Sequence, residues 1–208
     1  MAQVHGRKLA ERIIASIEEN KAWLSEIDGA VGDGDHGINM SKGLSQVKEK
    51  LDTVPDNTSE ALNFVGMSLM TNIGGAMGPI YGTFFMRMSK AVKGKTELQK
   101  EDLRAMLAGA LEGVKQRGKA EVGDKTLIDT LDAALRALEQ ALERGEGFDG
   151  AVDAMIGGAQ EGMEATKDMV AKKGRSSRLG ERSRGTIDAG AASCYLILKA
   201  IGESLLGK

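Results

Sequence analysis

Apolar residues recur at three- and four-residue spacing along almost the whole chain, a pattern that indicates amphipathic α-helices. No stretch alternates apolar and polar residues for long enough to indicate a strand. We therefore expect an all-α fold of eight helices, arranged as an antiparallel bundle or a closed barrel, in one domain over residues 1–208. The predicted helices contain residues 9–24, 37–51, 57–73, 80–92, 98–114, 126–142, 148–169 and 189–206. The second helix has a predicted apolar face of Ile38, Met40, Leu44, Val47 and Leu51.

Four polar, glycine-containing segments interrupt this pattern, at residues 28–37, 74–82, 118–126 and 172–190. They join helices one and two, three and four, five and six, and seven and eight. In an up-and-down helical array, alternate connections lie at the same end. We therefore expect all four segments to meet at one end of the domain and to form a site there.

The first segment concentrates acidic residues among glycines, with Asp28, Asp33 and Asp35 followed by His36. Glycine permits sharp turns, so these carboxylates can converge, and converging carboxylates repel one another unless a cation lies among them. Oxygen ligands of this kind suit Mg²⁺. An EF-hand calcium loop requires Glu at its twelfth position, where counting from Asp28 gives Asn39. A solvent-exposed acidic turn is the remaining alternative.

The second and third segments each lead into a predicted helix. In residues 74–82, Pro79 suits a first helical turn, and the backbone N–H groups of such a glycine-rich helix start would suit phosphate. A simple turn between two helices fits the pattern equally well, and no Walker-type Gly-Lys-Ser/Thr follows. In the third segment, Gly123-Asp124-Lys125-Thr126, Asp124 is a candidate N-cap of the following helix.

The fourth segment is basic over residues 172–185, which we name the basic segment. Its cations outnumber the single acidic residue, Glu181. These cations are Lys172, Lys173, Arg175, Arg178, Arg182 and Arg184. So long and polar a connection suits a mobile lid that closes over phosphates and supplies a cation to the transition state. A solvated run of charge is the alternative.

Composition narrows the class of protein. Hydrophobic residues make up 41% of the chain and aromatic residues only 3%, so the core must consist mainly of aliphatic side chains. A formal net charge of −2 gives no reason to expect nucleic acid or an anionic membrane as a partner. The single cysteine, Cys194, excludes an internal disulfide and suits a reducing compartment. Residues 1–19 are charged and lack the apolar run of a signal peptide, so we expect a cytoplasmic protein.

Five motifs occur in a specific order. They are Asp28-x4-Asp33-Gly34-Asp35-His36-Gly37, residues 74–85 (GGAMGPIYGTFF), Gly123-Asp124-Lys125-Thr126, residues 174–183 (GRSSRLGERS) and Asp188-x-Gly190-Ala191. In this order, and over essentially the whole chain, they resemble the nucleotide-binding L subunits of dihydroxyacetone kinases. The chain departs from that pattern at Ala76-Met77, where many members carry Ser or Thr. It also departs at Arg178, in place of an aromatic residue, and at Thr186 and Ala189, in place of His and Pro.

The resemblance implies an eight-helix barrel that holds ADP or ATP at one end. It implies that Asp28, Asp33 and Asp35 bind two Mg²⁺ ions bridging the phosphates, and that Arg175 in the capping loop is catalytic. The other residues that it places around the nucleotide are His36, Asn39, Gly75, Ala76, Met77, Gly78, Gly123, Thr126, Leu127, Asp188 and Gly190.

The resemblance also implies partners. Because this chain has no recognisable substrate domain, we expect a subunit of the phosphotransferase-system type. There, bound ADP is rephosphorylated by a phosphohistidine protein and passes phosphate to dihydroxyacetone on a separate K subunit. Two alternatives stay open at this point: an ATP-exchanging subunit for another short ketose, and a nucleotide-sensing module that binds a transcription regulator.

Overall fold

The structure is a computed structural model that describes residues 2–3 and 5–208; Met1 and Val4, in the stretch considered above for a signal peptide, lie outside the described residues. The α-helices of this part are α1 (Gly6–Glu19), α2 (Lys21–Gly29), α3 (His36–Lys50), α4 (Thr58–Asn72), α5 (Met77–Ala91), α6 (Lys100–Gly118), α7 (Leu127–Glu143), α8 (Phe148–Ala165) and α9 (Ala189–Leu205). Strands β1 (Ala2–Gln3) and β2 (Glu97–Leu98) form one short antiparallel pair. Over the described residues, every helix is too short or too polar to span a bilayer.

The helices pack in a circuit around one core. Helices α4, α5, α6 and α7 contact one another in chain order, α7, α8 and α9 all contact one another, α9 contacts α1, and α1 contacts α4. Helix α3 packs against α1 and α4, and α2 packs mainly against α3 and also contacts α9. The predicted all-helical fold is confirmed.

The first predicted helix is divided at Asn20, so the described chain has one more α-helix than expected. Asn20 ends α1 and precedes α2 with φ −100° and ψ 8°, outside the helical region. Its side-chain Nδ2 donates to the carbonyl oxygen of Ser16 at 2.8 Å. Asn side chains compete for backbone groups in this way and so favour helix ends. The apolar spacing continues across the break, which is why it predicted a single helix.

The core is aliphatic, as the composition predicted, with a small aromatic contact. Leu9, Ile13 and Ile17 on α1 are each at most 1% exposed, and the rings of Phe84 and Phe85 pack edge to face at 5.1 Å. Burial of each such side chain contributes about 1.5–3 kcal/mol. Cys194 is also fully buried.

Ile38 is an error in the predicted apolar face of α3, because it is 50% exposed. It precedes Met40 by two positions, which places it about 200° around a helix from that buried residue. Met40, Leu44, Val47 and Leu51 are buried as predicted.

The chain in and before the basic segment contains two 3₁₀-helices, where the sequence predicted the end of an α-helix and a loop. The seventh predicted helix ends at Ala165, earlier than expected, and a 3₁₀-helix of Thr166–Asp168 follows. Thr166 Oγ1 donates to the Met163 carbonyl at 2.6 Å and accepts the Asp188 N–H at 3.0 Å. A second 3₁₀-helix, Arg175–Ser183, lies inside the basic segment and is kinked at Gly180.

Candidate functional site

The acidic loop, residues 28–35, connects α2 to α3 and brings three carboxylates together. Asp28 lies in the last turn of α2, and Asp35 is the N-cap residue of α3. One carboxylate oxygen from each of Asp28, Asp33 and Asp35 lies within 4.8 Å of the other two. The His36 N–H donates to Asp28 Oδ2 at 3.3 Å and holds that carboxylate against the start of α3. The predicted convergence of the three carboxylates is confirmed.

Gly37 allows the two helices beside the acidic loop to approach closely. A Cβ atom at this position would collide with the Lys21 carbonyl oxygen and lie 2.8 Å from Ser25 Oγ. A larger residue would therefore push α3 away from α2, and the carboxylates at the ends of the two helices would separate.

The second segment forms a helix start without a side-chain cap. Gly75 has φ +67°, in the left-handed region that glycine adopts without strain. The chain then enters α5 at Met77, and no side chain in the described part of the chain caps this start at Ala76. Its first backbone N–H groups can therefore bind an anion. Pro79 lies in the first turn, as predicted.

Thr126, and not Asp124, is the N-cap of α7. Its Oγ1 accepts the Ile128 N–H at 3.1 Å, and Asp129 accepts the Thr126 N–H at 2.7 Å, which completes a capping box. Asp124 instead accepts the Glu121 N–H at 2.9 Å within the preceding turn. The prediction that Asp124 caps this helix was therefore wrong.

The basic segment contacts the acidic loop through Arg175. The guanidinium forms an ion pair with Asp33, and its Nη1 lies 3.6 Å from Asp35 Oδ2. All three side chains are about half exposed. Exposed ion pairs contribute only about 0–1 kcal/mol, so this contact can be exchanged for one with a bound anion.

A buried polar network supports the cavity wall. His36 Nε2 lies 2.8 Å from Ser193 Oγ, and the Tyr81 hydroxyl lies 2.5 Å from the same oxygen. Tyr81 also donates to the Gly190 carbonyl at 3.2 Å. Burial lowers the pKa of His36 to about 4, although Asp28 acts in the opposite direction, so the imidazole is neutral near pH 7. Burial raises the pKa of Tyr81 well above its usual value.

Asp188 is the half-buried N-cap residue of α9. Its Oδ2 accepts the Ala191 N–H at 2.8 Å. Burial raises the pKa of Asp188 to about 6, and the Ala191 N–H and the Lys125 ammonium partly oppose that rise. This carboxyl therefore titrates within the ordinary working range of pH.

These elements surround a cavity of about 510 Å³. Its volume falls within the roughly 300–1,000 Å³ typical of small-molecule sites. The prediction that the four segments meet at one end is confirmed, since each contributes to the wall. The predicted residues that line it are Asp28, Asp33, Asp35, His36, Asn39, Gly75, Ala76, Met77, Thr126, Leu127, Arg175, Asp188 and Gly190.

Gly78 and Gly123 do not line the cavity, although the resemblance placed both beside the nucleotide. Gly78 is buried, and its Cα faces backbone atoms of residues 69 and 73. Further wall residues were not predicted as site residues from the sequence. They include Ile80 and Tyr81 on α5, Arg117 and Gly118 at the end of α6, Lys125 in the turn before α7, and Lys173 in the basic segment. The position of Arg117 at the end of α6, beside the third segment, was a signal that could have identified it.

The donor set of the acidic loop fits a hard divalent cation. Its three donors are carboxylate oxygens, and Asp33 is exposed and lines the cavity. Mg²⁺ prefers such ligands, retains several waters and takes further ligands from substrate phosphates. A partly exposed three-carboxylate cluster that shares a cavity with the uncapped start of α5 suits that coordination.

Known proteins resemble this chain in both sequence and fold. Residues 30–203 match the family described as the DAK2 domain. The chain is 41% identical over 186 residues to the ADP-binding subunit DhaL of PEP-dependent dihydroxyacetone kinase 1 from Listeria innocua, covering 89% of this chain and 88% of that protein. It is 39% identical over 180 residues to the corresponding Escherichia coli subunit, covering 86% of each. The crystal structure of the C. freundii dihydroxyacetone kinase in complex with AMP-PNP and Mg²⁺ matches with a TM-score of 0.71 and 25% identity, covering 96% of this chain and 33% of that one.

Proposed function

The chain belongs to the DAK2-domain family, and on that premise we propose that it is the phosphoryl-transferring subunit of a dihydroxyacetone kinase. ADP or ATP with Mg²⁺ occupies the cavity, and the terminal phosphoryl group passes to dihydroxyacetone on a partner K subunit. The observation that carries this proposal is the convergence of the acidic loop, the bare start of α5 and Arg175 around one cavity. Phosphoryl transfer needs these three components: metal ligands, phosphate donors and a cation for developing charge.

The acidic loop and the start of α5 would bind the phosphates. Asp28, Asp33 and Asp35 would hold Mg²⁺, two ions by the family resemblance, and bound metal supplies charge neutralisation at the phosphate oxygens. The backbone N–H groups at the start of α5 would donate to phosphate, helped by the helix dipole. Because Ala76 and Met77 have no hydroxyl, only backbone donors are offered there.

The remaining wall would hold the nucleoside and position the transfer. Thr126 and Leu127 at the start of α7 face the cavity with Ile80 on α5. Arg175 would leave its ion pair with Asp33 and stabilise charge on the transferring group. Among the described cavity residues, His36 and Asp188 are candidate bases. His36 Nε2 is committed to Ser193 in a buried network, and Asp188 accepts the Ala191 N–H as the N-cap of α9. We therefore assign deprotonation of the acceptor hydroxyl to the partner subunit.

We further propose that bound ADP is rephosphorylated in place by a phosphohistidine protein. The support is that the sequence identity to this chain is higher for one functional class of relatives than for the others. Relatives named as PEP- or PTS-dependent ADP-binding subunits are 39–41% identical to this chain. Human triokinase/FMN cyclase is 33% identical and L-erythrulose 1-kinase from Mycolicibacterium smegmatis is 30% identical.

The first test is the nucleotide that accompanies the purified protein. After denaturation, mass spectrometry should identify ADP in near-stoichiometric amount, because release requires several charge-assisted contacts to break together. Protein that carries no nucleotide and binds neither ADP–Mg²⁺ nor ATP–Mg²⁺ by calorimetry would overturn the proposal.

The second test separates the phosphoryl donors. With ATP and the K subunit alone, dihydroxyacetone phosphate should form for about one turnover and then stop, and a phosphohistidine donor should restore continuous turnover. Sustained turnover on ATP alone would contradict the phosphohistidine route and assign an ATP-exchanging kinase. No transfer with either donor, together with binding to a transcription regulator, would assign a sensing module.

A further inference from the structure

The ammonium group of Lys125 is buried within a cage of backbone carbonyl groups. The residue is 1% exposed, although it lies in a turn next to the cavity. Its Nζ donates to the carbonyl oxygens of Thr186 at 2.7 Å and Met169 at 3.3 Å, and also to that of Ser183. A lysine ammonium has three N–H donors and no acceptor. The three carbonyls therefore match its full hydrogen-bonding capacity.

These three carbonyls lie at the two ends of the basic segment. Met169 precedes residues 172–185, whereas Ser183 and Thr186 stand at their far end. Other bonds join the same two ends, since the Ala171 N–H donates to Ser183 Oγ at 2.9 Å and the Gly185 N–H donates to the Lys167 carbonyl at 2.8 Å. Lys125 thus joins the entry and the exit of the segment at a single point.

The turn that contains Lys125 also connects the basic segment to the cavity wall. The Lys172 N–H donates to the Asp124 carbonyl at 3.1 Å, and the Lys172 ammonium lies 3.4 Å from Asp124 Oδ1. Lys125 has φ +62°, a conformation that non-glycine residues rarely adopt, and it directly precedes the wall residue Thr126. The base of the basic segment is therefore fixed to the start of α7, while its middle carries Arg175.

We propose that Lys125 is a positioning residue that holds the basic segment closed over the cavity and thereby sets how slowly nucleotide dissociates. This inference rests on the proposed function, because it takes the cavity to be the nucleotide site. Lys125 acts through the backbone of the segment, whereas Arg175 acts through its own side chain. Without the ammonium, one buried and two partly buried carbonyls lose their donor, and the ends of the segment are held by fewer bonds.

The kinetic test compares Lys125→Met with wild-type protein and with Val47→Ala. Val47 is fully buried on α3, about 16 Å along the helix from His36, so its truncation lowers stability away from the site. Dissociation of N-methylanthraniloyl-ADP with Mg²⁺ is followed by stopped-flow chase with excess ADP. We expect Lys125→Met to dissociate about tenfold faster or more, the loss expected for a charged hydrogen-bond donor. Val47→Ala should dissociate at the wild-type rate.

A second measurement does not depend on nucleotide. Hydrogen–deuterium exchange of the nucleotide-free protein should show faster exchange of residues 171–186 in Lys125→Met, with unchanged exchange in α4 and α6. If Lys125→Met does not fold, Ser183→Ala removes the hydroxyl that accepts the Ala171 N–H and donates to the Gly180 carbonyl, and should produce a smaller change of the same kind.

The outcomes separate the two ideas. Wild-type exchange in the segment and a wild-type dissociation rate in Lys125→Met would overturn the positioning role, as would equal acceleration in Val47→Ala. Wild-type protein that binds no nucleotide would instead overturn the proposed function, and the exchange measurement would still test whether Lys125 holds the segment.

Discussion

The guanidinium of Arg175 forms an ion pair with the carboxylate of Asp33, so the basic segment directly contacts the acidic loop. Both side chains are partly exposed, and neither is committed to a buried network. An anion that binds between them would meet Arg175 on one side and the cation ligands on the other. The pair therefore marks the position in the cavity where the proposed transfer would take place.

The first prediction concerns Arg175. If its guanidinium stabilises charge that develops during transfer, Arg175→Ala should lower kcat roughly 10³-fold while changing ADP–Mg²⁺ affinity much less. The measurement is steady-state turnover with the K subunit, compared with calorimetric affinity. Arg178→Ala is the matched control, because it removes the same charge from an exposed position of the same segment. Equal losses in the two variants would reduce the role of Arg175 to general electrostatic attraction.

The second prediction concerns the carboxylate cluster. Asp33→Asn and Asp35→Asn each remove one carboxylate proposed to bind metal and reduce repulsion within the cluster. Nucleotide-free protein should therefore be no less stable than wild type. The stabilisation by ADP–Mg²⁺, about 2.7 kcal/mol when free ligand is 100 times its dissociation constant, should be lost. Thermal unfolding with and without ADP–Mg²⁺ measures both effects.

The control for the cluster is Glu26→Gln, which neutralises an exposed carboxylate on α2 outside the cluster. It should keep the full response to ADP–Mg²⁺. Retention of that response in Asp33→Asn as well would contradict the metal assignment.

The third prediction concerns the hydrogen bond between Ser193 and the His36 imidazole. Ser193→Ala removes the hydroxyl shared by His36 Nε2 and the Tyr81 hydroxyl, and leaves both polar groups buried with one partner fewer. We expect the free energy of unfolding to fall by about 1–3 kcal/mol. Denaturant unfolding measures this loss, and nitrogen NMR of the imidazole should detect a changed tautomer population. Ser204→Ala, on the half-exposed part of the same helix, should change neither, and equal losses would contradict the network.

The sequence predicted the features that depend on local spacing. Every predicted helix after the first corresponds to one α-helix of the structure, because apolar residues must face one core, as Met40, Leu44 and Val47 do. The parity of the connections then placed the four polar segments at one end. The boundaries were less predictable, because Asn20 divides a helix through a side-chain bond that leaves the apolar spacing unchanged.

The features that the sequence did not predict depend on contacts between distant parts of the chain. In the sequence, Lys125 is one cation in a polar turn. In the structure its ammonium is buried because it donates to three backbone carbonyls at the ends of the basic segment. No spacing rule relates it to Thr186. Ser193 likewise lies in an apolar helix, and its importance depends on His36 and Tyr81, which belong to two other helices.

The last prediction concerns pH and Asp188. Its pKa is about 6 in the folded protein, above the usual value of 3.8, because burial disfavours the charged form. Between these two values the folded state binds a proton that the unfolded state has already lost. Because only the unfolded state releases this proton as pH rises from 4 to 6, the free energy of unfolding falls, by up to about 1.4 kcal/mol per pH unit.

Asp188→Asn removes this titration and retains a side-chain oxygen that can accept the Ala191 N–H. Other titrating groups are common to both proteins and cancel in the difference. The free energy of unfolding of Asp188→Asn minus that of wild type should therefore rise from pH 4 to pH 6 and become constant above about pH 7. Urea unfolding of nucleotide-free protein across this range measures the difference. A difference that stays constant would mean that Asp188 keeps an ordinary carboxyl pKa, because the Ala191 N–H and the Lys125 ammonium fully offset its burial. A difference that falls with pH would mean that they more than offset it and lower the pKa.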